Sequence, residues 1–377
     1  MKLVFASDSF KGTLSSERIT ELLTKASQEV LGECTIVPVV LADGGEGTLD
    51  ALLNVRKGKK ITVSVHDPLM REIGACYGTF GDNMAVVEMA QATGLTLLSN
   101  EERDPLRASS TGTGELIRAA LKDGYRDITV AIGGSATNDG GMGAAAALGI
   151  RFTDSEGRAL EGRGCDLKKI CDIDTDGMIP ELKEAKIRVM CDVKNPLCGA
   201  GGATYTYGPQ KGASPEMLKE LEEGMLNYRR VLIRKTGTDP DTIEGAGAAG
   251  GIGAALKILF GAKLVSGIET VLDLGGFDGL IKDADCIITG EGRVDAQSSS
   301  GKALQGVGER ALKAGIPCIA LCGSTAEGYE KILEHGITKI VTLVSEDISP
   351  EFAMGHAEDI YYQRALEIFG EMKVKPD

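Results

Sequence analysis

Five short apolar runs, two at the start of the chain and three near its end, each pass into a polar, glycine-bearing loop. They are Leu3–Ser7, Thr35–Leu41, Asp285–Thr289, Pro317–Leu321 and Lys339–Val344. Runs of this length with no polar alternation read as strands buried on both faces. Strands of that kind belong to parallel sheets, which need helices on both sides and right-handed crossovers between neighbours. Helical spacing is found where those crossovers should be. It covers about Ser15–Leu31, where Leu22, Leu23 and Ala26 share a face behind a Ser15 or Ser16 cap. It recurs from Thr48, over Lys302–Lys313 and over Ala357–Phe369.

The two groups of strands are separated by some 220 residues that carry strands of their own, including Ile128–Ile132 and Ile187–Cys191, among glycine-rich helices. A chain of 377 residues exceeds the size at which one core stops growing. The expected fold is therefore α/β. A flavodoxin-like parallel-sheet domain is built from both chain ends, residues 1–60 plus 281–377, and a second α/β domain is inserted over residues 61–280. The active site is expected in the cleft between them. Ligands of open parallel sheets sit beyond the strand C-termini, which places Asp8, Asp43, Glu291 and Asp295 on one edge.

Charge and cysteine usage narrow the function. The formal net charge is −14, which opposes a nucleic-acid or anionic-membrane surface. No apolar run approaches the roughly 18 residues of a spanning helix, and MKLVFASDSFKG has no signal-peptide core. The nine cysteines form no CxxC pair. A cytoplasmic protein acting on a small molecule is expected. Glycine is the outlier: 51 residues, about twice the usual ~7%, gathered in particular loops where backbone N–H groups can approach a ligand.

Six of those loops carry the polar residues. Asp8-Ser9-Phe10-Lys11-Gly12 sets a carboxylate, a hydroxyl and a lysine between a strand and a helix N-terminus, a place that attracts anions. The same residues also serve as an ordinary cap. In Ala42–Thr48, Asp43 and Glu46 stand among three glycines, a donor set that suits Mg²⁺ or supplies a general base. Gly133–Gly143 combines Gly133, Gly134, Ser135, Thr137, Asn138 and Asp139 in a phosphate-cradling pattern that is not a Walker A loop. Asp192 and Asn195 follow the Ile187–Cys191 strand as candidate base and substrate contact, or as an Asx turn before Pro196. Gly245, Gly247 and Gly250 satisfy GxGxxG but follow polar DTIE rather than a strand, which argues for close packing or phosphate contact over dinucleotide binding. Last, Glu291, Arg293, Asp295 and Lys302 gather acids and cations after the Asp285–Thr289 strand. His66, His335 and His356 lie outside all six loops, so acid–base work falls to carboxylates.

In this order the segments ASDSFKG (6–12), LADGGEGT (41–48), STGTGELI (110–117), IGGSATNDGGMG (132–143), CDVKNPLCGAGGA (191–203), GAGAAGGIGAAL (245–256) and ITGEGRVDAQSSSGK (288–302) resemble the type I glycerate kinase family nearly from end to end. The resemblance implies a flavodoxin-like domain with a large insert. It also implies ATP-dependent phosphorylation of D-glycerate, with 2-phospho-D-glycerate favoured over the 3-phosphate.

On that reading Gly133, Gly134, Ser135, Thr137, Asn138, Gly247 and Gly250 hold the phosphates of ATP. Lys11, Arg293 and Lys302 grip the glycerate carboxylate or the migrating phosphoryl group. Asp8, Ser9, Asn195 and Asp295 complete the substrate site. Asp43 or Asp192 accepts the hydroxyl proton, and Asp43, Glu46 and Glu291 share Mg²⁺. Two other readings compete. A NAD-dependent hydroxy-acid oxidoreductase would carry GxGxxG after the first strand, where DSFKG stands instead. A non-catalytic sugar-acid sensor would bind without releasing ADP.

Overall fold

The computed structural model describes residues 1–10, 12–42, 44–295 and 303–374. The chain forms two compact units. Unit 1 comprises Met1–Asp43, Asn54–Arg56 and Ile268–Asp377; unit 2 comprises Gly44–Leu53 and Lys57–Gly267. The helices Gly267–Leu274 and Phe277–Ile281 thus belong largely with the chain ends, because Ile268, Leu272, Phe277 and Ile281 are buried against Val4, Ala6 and Ile287.

Unit 1 is a five-stranded, wholly parallel sheet. Its strands are Lys2–Ser7, Thr35–Pro38, Cys286–Gly290, Cys318–Cys322 and Lys339–Thr342. Numbered within the unit, they lie in the order 2-1-3-4-5, the flavodoxin order of doubly wound sheets. The second strand is shorter than expected: Pro38 has no N–H to donate, and only the N–H of Val39 continues the pairing, to the Phe5 carbonyl at 2.8 Å.

The helix Ser16–Leu31 is capped by Ser15, whose hydroxyl accepts from the Arg18 N–H, and it buries Ile19, Leu22, Leu23 and Ala26. The cap is worth about 1 kcal/mol, and each buried Leu or Ile about 1.5–3 kcal/mol. This face shares a core with the C-terminal helix Ala357–Val374 through Tyr361, Ala365 and Phe369. The helix Ala303–Ala314 packs instead into the core of Val4, Ala6 and Ile287, on the alternate side chains of the same strands. The sheet is therefore covered on both faces, as its unbroken apolar strands require.

Unit 2 holds a six-stranded mixed sheet. Met84–Glu88, Asp127–Ala131, Lys186–Met190 and Lys263–Val265 are parallel neighbours. Glu72–Phe80 and Lys59–His66 extend the sheet antiparallel beyond Met84–Glu88. In register, Glu88, Ala131, Met190 and Val265 stand side by side at the C-terminal edge of the four parallel strands. Every loop that leaves this edge starts from that row.

Candidate functional site

The first parallel strand of unit 1 and its neighbour Cys286–Gly290 lie where the strand order reverses. Their helices depart to opposite faces, so the loops separate at this point and leave a crevice. In register, Ser7 faces Gly290, and the Asp8 N–H donates to the Gly290 carbonyl at 2.9 Å. The sequence-predicted residues Asp8, Ser9, Glu291, Arg293 and Asp295 all emerge here. The Asp8 carboxylate accepts from the Ser9 N–H at 2.7 Å and its hydroxyl at 3.4 Å. Arg293 is exposed, while Glu291 and Asp295 are half-buried. Arg293 and Val294 pair with Ser324 and Thr325, which fixes the path of the loop between Glu291 and Asp295. Lys11, Asp43 and Lys302 lie outside the described residues.

In unit 2 the glycine loops are packed against one another. The Gly133 N–H donates to the Gly44 carbonyl at 2.9 Å. A Cβ on Gly133 would lie 2.5 Å from the Gly45 Cα, and one on Gly44 would lie 2.8 Å from the Met190 Cβ. At its far end the same loop meets the Gly245–Gly253 segment: the Gly140 N–H donates to the Gly250 carbonyl at 2.9 Å. Gly250 has φ +71°, and a Cβ there would sit 2.0 Å from the Thr137 carbonyl oxygen. Gly247 is similarly closed by the Pro196 carbonyl, 2.1 Å from a Cβ. No strand precedes this GxGxxG, only the short 3₁₀ turn Pro240–Thr242, so the dinucleotide context is missing.

Within the Gly133–Gly143 loop only the tip is open. Gly134 is exposed and Gly133 half-buried, whereas Ser135, Thr137, Asn138 and Asp139 are buried. Their side chains turn inward. The Asp139 carboxylate accepts from the Ser110 N–H and hydroxyl at 2.8 and 2.7 Å and from the Gly141 and Gly143 N–H groups at 3.0 and 3.2 Å. Burial pushes its pKa up against those four bonds. Ser110 Oγ in turn accepts from the Ala144 N–H at 2.9 Å, so the STGTGELI segment serves as the buttress of this loop. Asn138 Nδ2 donates to Thr204 Oγ1 at 3.2 Å. Ser135 Oγ and the Thr137 carbonyl accept from Lys211 Nζ at 2.8 and 2.7 Å.

The remaining candidates of this unit stand at the same sheet edge. Asp192 Oδ1 accepts from the Gly267 N–H at 2.9 Å. The Asn195 amide is committed on both sides, donating to the Gly201 carbonyl and accepting from the Tyr207 hydroxyl, each at 2.7 Å. Its own carbonyl receives the Gly247 N–H at 3.0 Å. Glu46 is exposed in the turn before helix Thr48–Val55.

Sequence reasoning missed two residues at this edge, Lys211 and Glu88. Glu88 is fully buried and accepts from the Gly47 and Leu49 N–H groups at 3.0 and 2.8 Å, which holds the turn that carries Glu46. A lone carboxylate inside the apolar AVVEMA run was the signal for it. Lys211 stands between two glycines in GPQKG, a motif given no weight.

The oxygen donors of unit 1, Asp8, Glu291 and Asp295, are the hard ligands that Mg²⁺ takes one or two at a time, with phosphate oxygens and water completing its shell. Among the described residues no three His, Cys, Asp or Glu side chains converge as a closed metal site.

Comparison with known proteins gives one consistent answer. Residues 3–373 match the model of the glycerate kinase family. A glycerate kinase of Halalkalibacterium halodurans is 41% identical over 367 residues, 97% of each chain. The glycerate 2-kinase of Escherichia coli K12 is 42% identical over 346 residues, 92% of this chain and 91% of its own. A crystal structure provisionally described as glycerate kinase 2 from Salmonella typhimurium LT2 superposes with a TM-score of 0.83 at 39% identity, covering 99% of this chain and 98% of that one.

Proposed function

Since this chain belongs to the glycerate kinase family, we propose that it phosphorylates glycerate from ATP, placing the phosphoryl group on the 2-hydroxyl. The observation that carries the reading is the match along essentially the whole chain. The 2-position rests on the resemblance to a glycerate 2-kinase.

Phosphoryl transfer asks a protein for positioning and charge neutralisation more than for covalent help. The open Gly133–Gly134 tip, backed by buried side chains that fix its path, offers backbone to the nucleotide phosphates. Gly247 and Gly250 act behind it, as the close-packed support rather than as direct contacts. From sequence, Glu46 and Glu291 are the carboxylates assigned to Mg²⁺, which would supply charge neutralisation at phosphate oxygens, and Asp8 and Asp295 are assigned to the substrate site. Arg293, exposed beside them, meets the acceptor carboxylate or the migrating phosphoryl group. Lys11 and Lys302 are assigned the same task and Asp43 a share of the metal, all from sequence. Asp192 or Asp43 takes the hydroxyl proton; the Gly267 N–H orients the first of these.

The test is ³¹P NMR of the products formed from D-glycerate and ATP, with and without EDTA. A new phosphomonoester resonance matching 2-phosphoglycerate, suppressed by the chelator, is expected. A 3-phosphoglycerate product would overturn the regiochemistry alone. ATP left intact, or hydrolysed with no phosphorylated acid, would overturn the reading.

A further inference from the structure

We propose that Lys211 is a positioning residue of the phosphoryl-donor site, anchoring the Ser135–Thr137 backbone so that the open Gly133–Gly134 tip is held ready for the nucleotide. This deepens the kinase reading above and rests on it. The geometry is specific. Lys211 is 1% exposed, and its Nζ donates to Ser135 Oγ and to the Thr137 carbonyl, one and three residues beyond Gly134.

The turn that delivers the lysine is itself tightly built. Gly208 precedes the 3₁₀ turn Pro209–Lys211, and a Cβ there would lie 2.4 Å from the Thr204 carbonyl oxygen. Gly212 follows at φ +93°, with a Cβ position 2.4 Å from the Arg103 carbonyl oxygen. Neither glycine accepts a side chain, so the lysine is held to one depth.

Burying an amine that is charged in water costs several kcal/mol. That cost appears as a pKa pushed down to about 7, with the Asp139 carboxylate favouring the protonated form. A packing role alone needs no nitrogen, since methionine fills similar space without the penalty. What methionine cannot supply is the pair of hydrogen bonds to the loop. Both acceptors belong to the loop whose tip is open, while Thr137 and its neighbours Asn138 and Asp139 are sealed inside. The lysine therefore acts on the nucleotide through the loop, without touching it.

The test compares the wild-type chain with Lys211→Met, Ser135→Ala and the double variant in steady-state kinetics with ATP and D-glycerate varied separately. ADP binding by calorimetry and a thermal melt accompany each. Lys211→Met is expected to raise the KM for ATP and the Kd for ADP about tenfold, the ratio that corresponds to ~1.4 kcal/mol. The KM for glycerate should stay within about twofold. Ser135→Ala should shift ATP in the same direction by about threefold, and the double variant should be no worse than Lys211→Met, because the two residues form one anchor.

A folded Lys211→Met chain with unchanged ATP and ADP constants overturns the assignment. So do parallel losses for ATP and glycerate, which a general packing defect would give. If Lys211→Met does not fold, Ser135→Ala decides: unchanged ATP and ADP constants overturn the proposal, and the threefold shift supports it. A wild-type chain that binds neither ATP nor ADP removes the kinase reading itself; one that binds both while the variants match it removes only the lysine.

Discussion

The buried carboxylate of Glu88 accepts the backbone N–H of Leu49 at 2.8 Å, while its other oxygen takes the N–H of Gly47 at 3.0 Å. These donors lie at the start of the helix Thr48–Val55, where N–H groups have no intrahelical partner and the helix dipole favours negative charge. Glu88→Ala leaves both donors without their acceptor and opens a hole at the sheet edge, so a loss of about 2–4 kcal/mol is expected in urea unfolding. Glu88→Gln keeps the volume but turns an amide NH₂ toward an N–H donor, for a loss of about 1–3 kcal/mol. A Gln variant as stable as the wild type would show that the carboxylate does not cap this turn.

Gly250 and Gly261 separate backbone conformation from contact. Both have positive φ, +71° and +66°, but a Cβ on Gly250 would collide with the Thr137 carbonyl while one on Gly261 meets nothing within 4 Å. Gly261→Ala should therefore cost only the left-handed penalty, about 1 kcal/mol. Gly250→Ala must also push apart the Gly245–Gly253 segment and the Gly133–Gly143 loop, for at least ~3 kcal/mol by the same denaturation measurement. Equal losses at the two positions would mean that the contact at Gly250 relaxes freely.

Much of this was readable in the sequence because strands and loops announce themselves locally. The five apolar runs of unit 1 form the expected parallel sheet, and the glycine-rich loops other than Gly245–Gly250 do follow strands. Lys59–His66 was legible too and went unread, although Ile61, Val63 and Val65 alternate with polar residues in the period of a half-covered strand. What local pattern does not contain is the direction of a polar side chain. Ser135, Thr137, Asn138 and Asp139 look like ligand contacts in a list of residues, yet three-dimensional packing turns them inward. The partner that explains Ser135 lies 76 residues away. No spacing rule links a lysine in GPQKG to a serine after Gly-Gly, or Glu88 to a turn 39 residues earlier.

Ala249 is a left-handed residue without glycine's freedom. It has φ +51° and ψ +41° and is followed by Gly250 and Gly251, also at positive φ, at the start of the helix Ala248–Phe260. An alanine in this conformation costs roughly 1–2 kcal/mol, and replacing it with glycine adds back ~0.4–1 kcal/mol of unfolded-chain entropy. Ala249→Gly should thus stabilise the protein by about 0.5–1 kcal/mol, read as an increase in urea midpoint. A lower midpoint would mean that contacts of the Ala249 methyl outweigh its backbone strain.

The depressed pKa of Lys211 makes a further prediction, with a definite sign. In the unfolded chain the amine titrates near 10.5, whereas burial brings it down to about 7 in the folded protein. Between those values the unfolded chain holds a proton that the folded chain has released, so unfolding free energy rises with pH by up to ~1.4 kcal/mol per unit. Buried cysteines and tyrosines have their pKa values raised and oppose this above pH 8, which is why the wild type alone is a poor readout. The difference between wild type and Lys211→Met isolates the lysine. Between pH 7.0 and 8.5 the wild type should gain about 1–2 kcal/mol on the variant, and below pH 7 the gap should stop changing. A gap that is flat from pH 6 to 8.5 would mean that Lys211 is protonated in the folded chain throughout, with its charge met by Asp139.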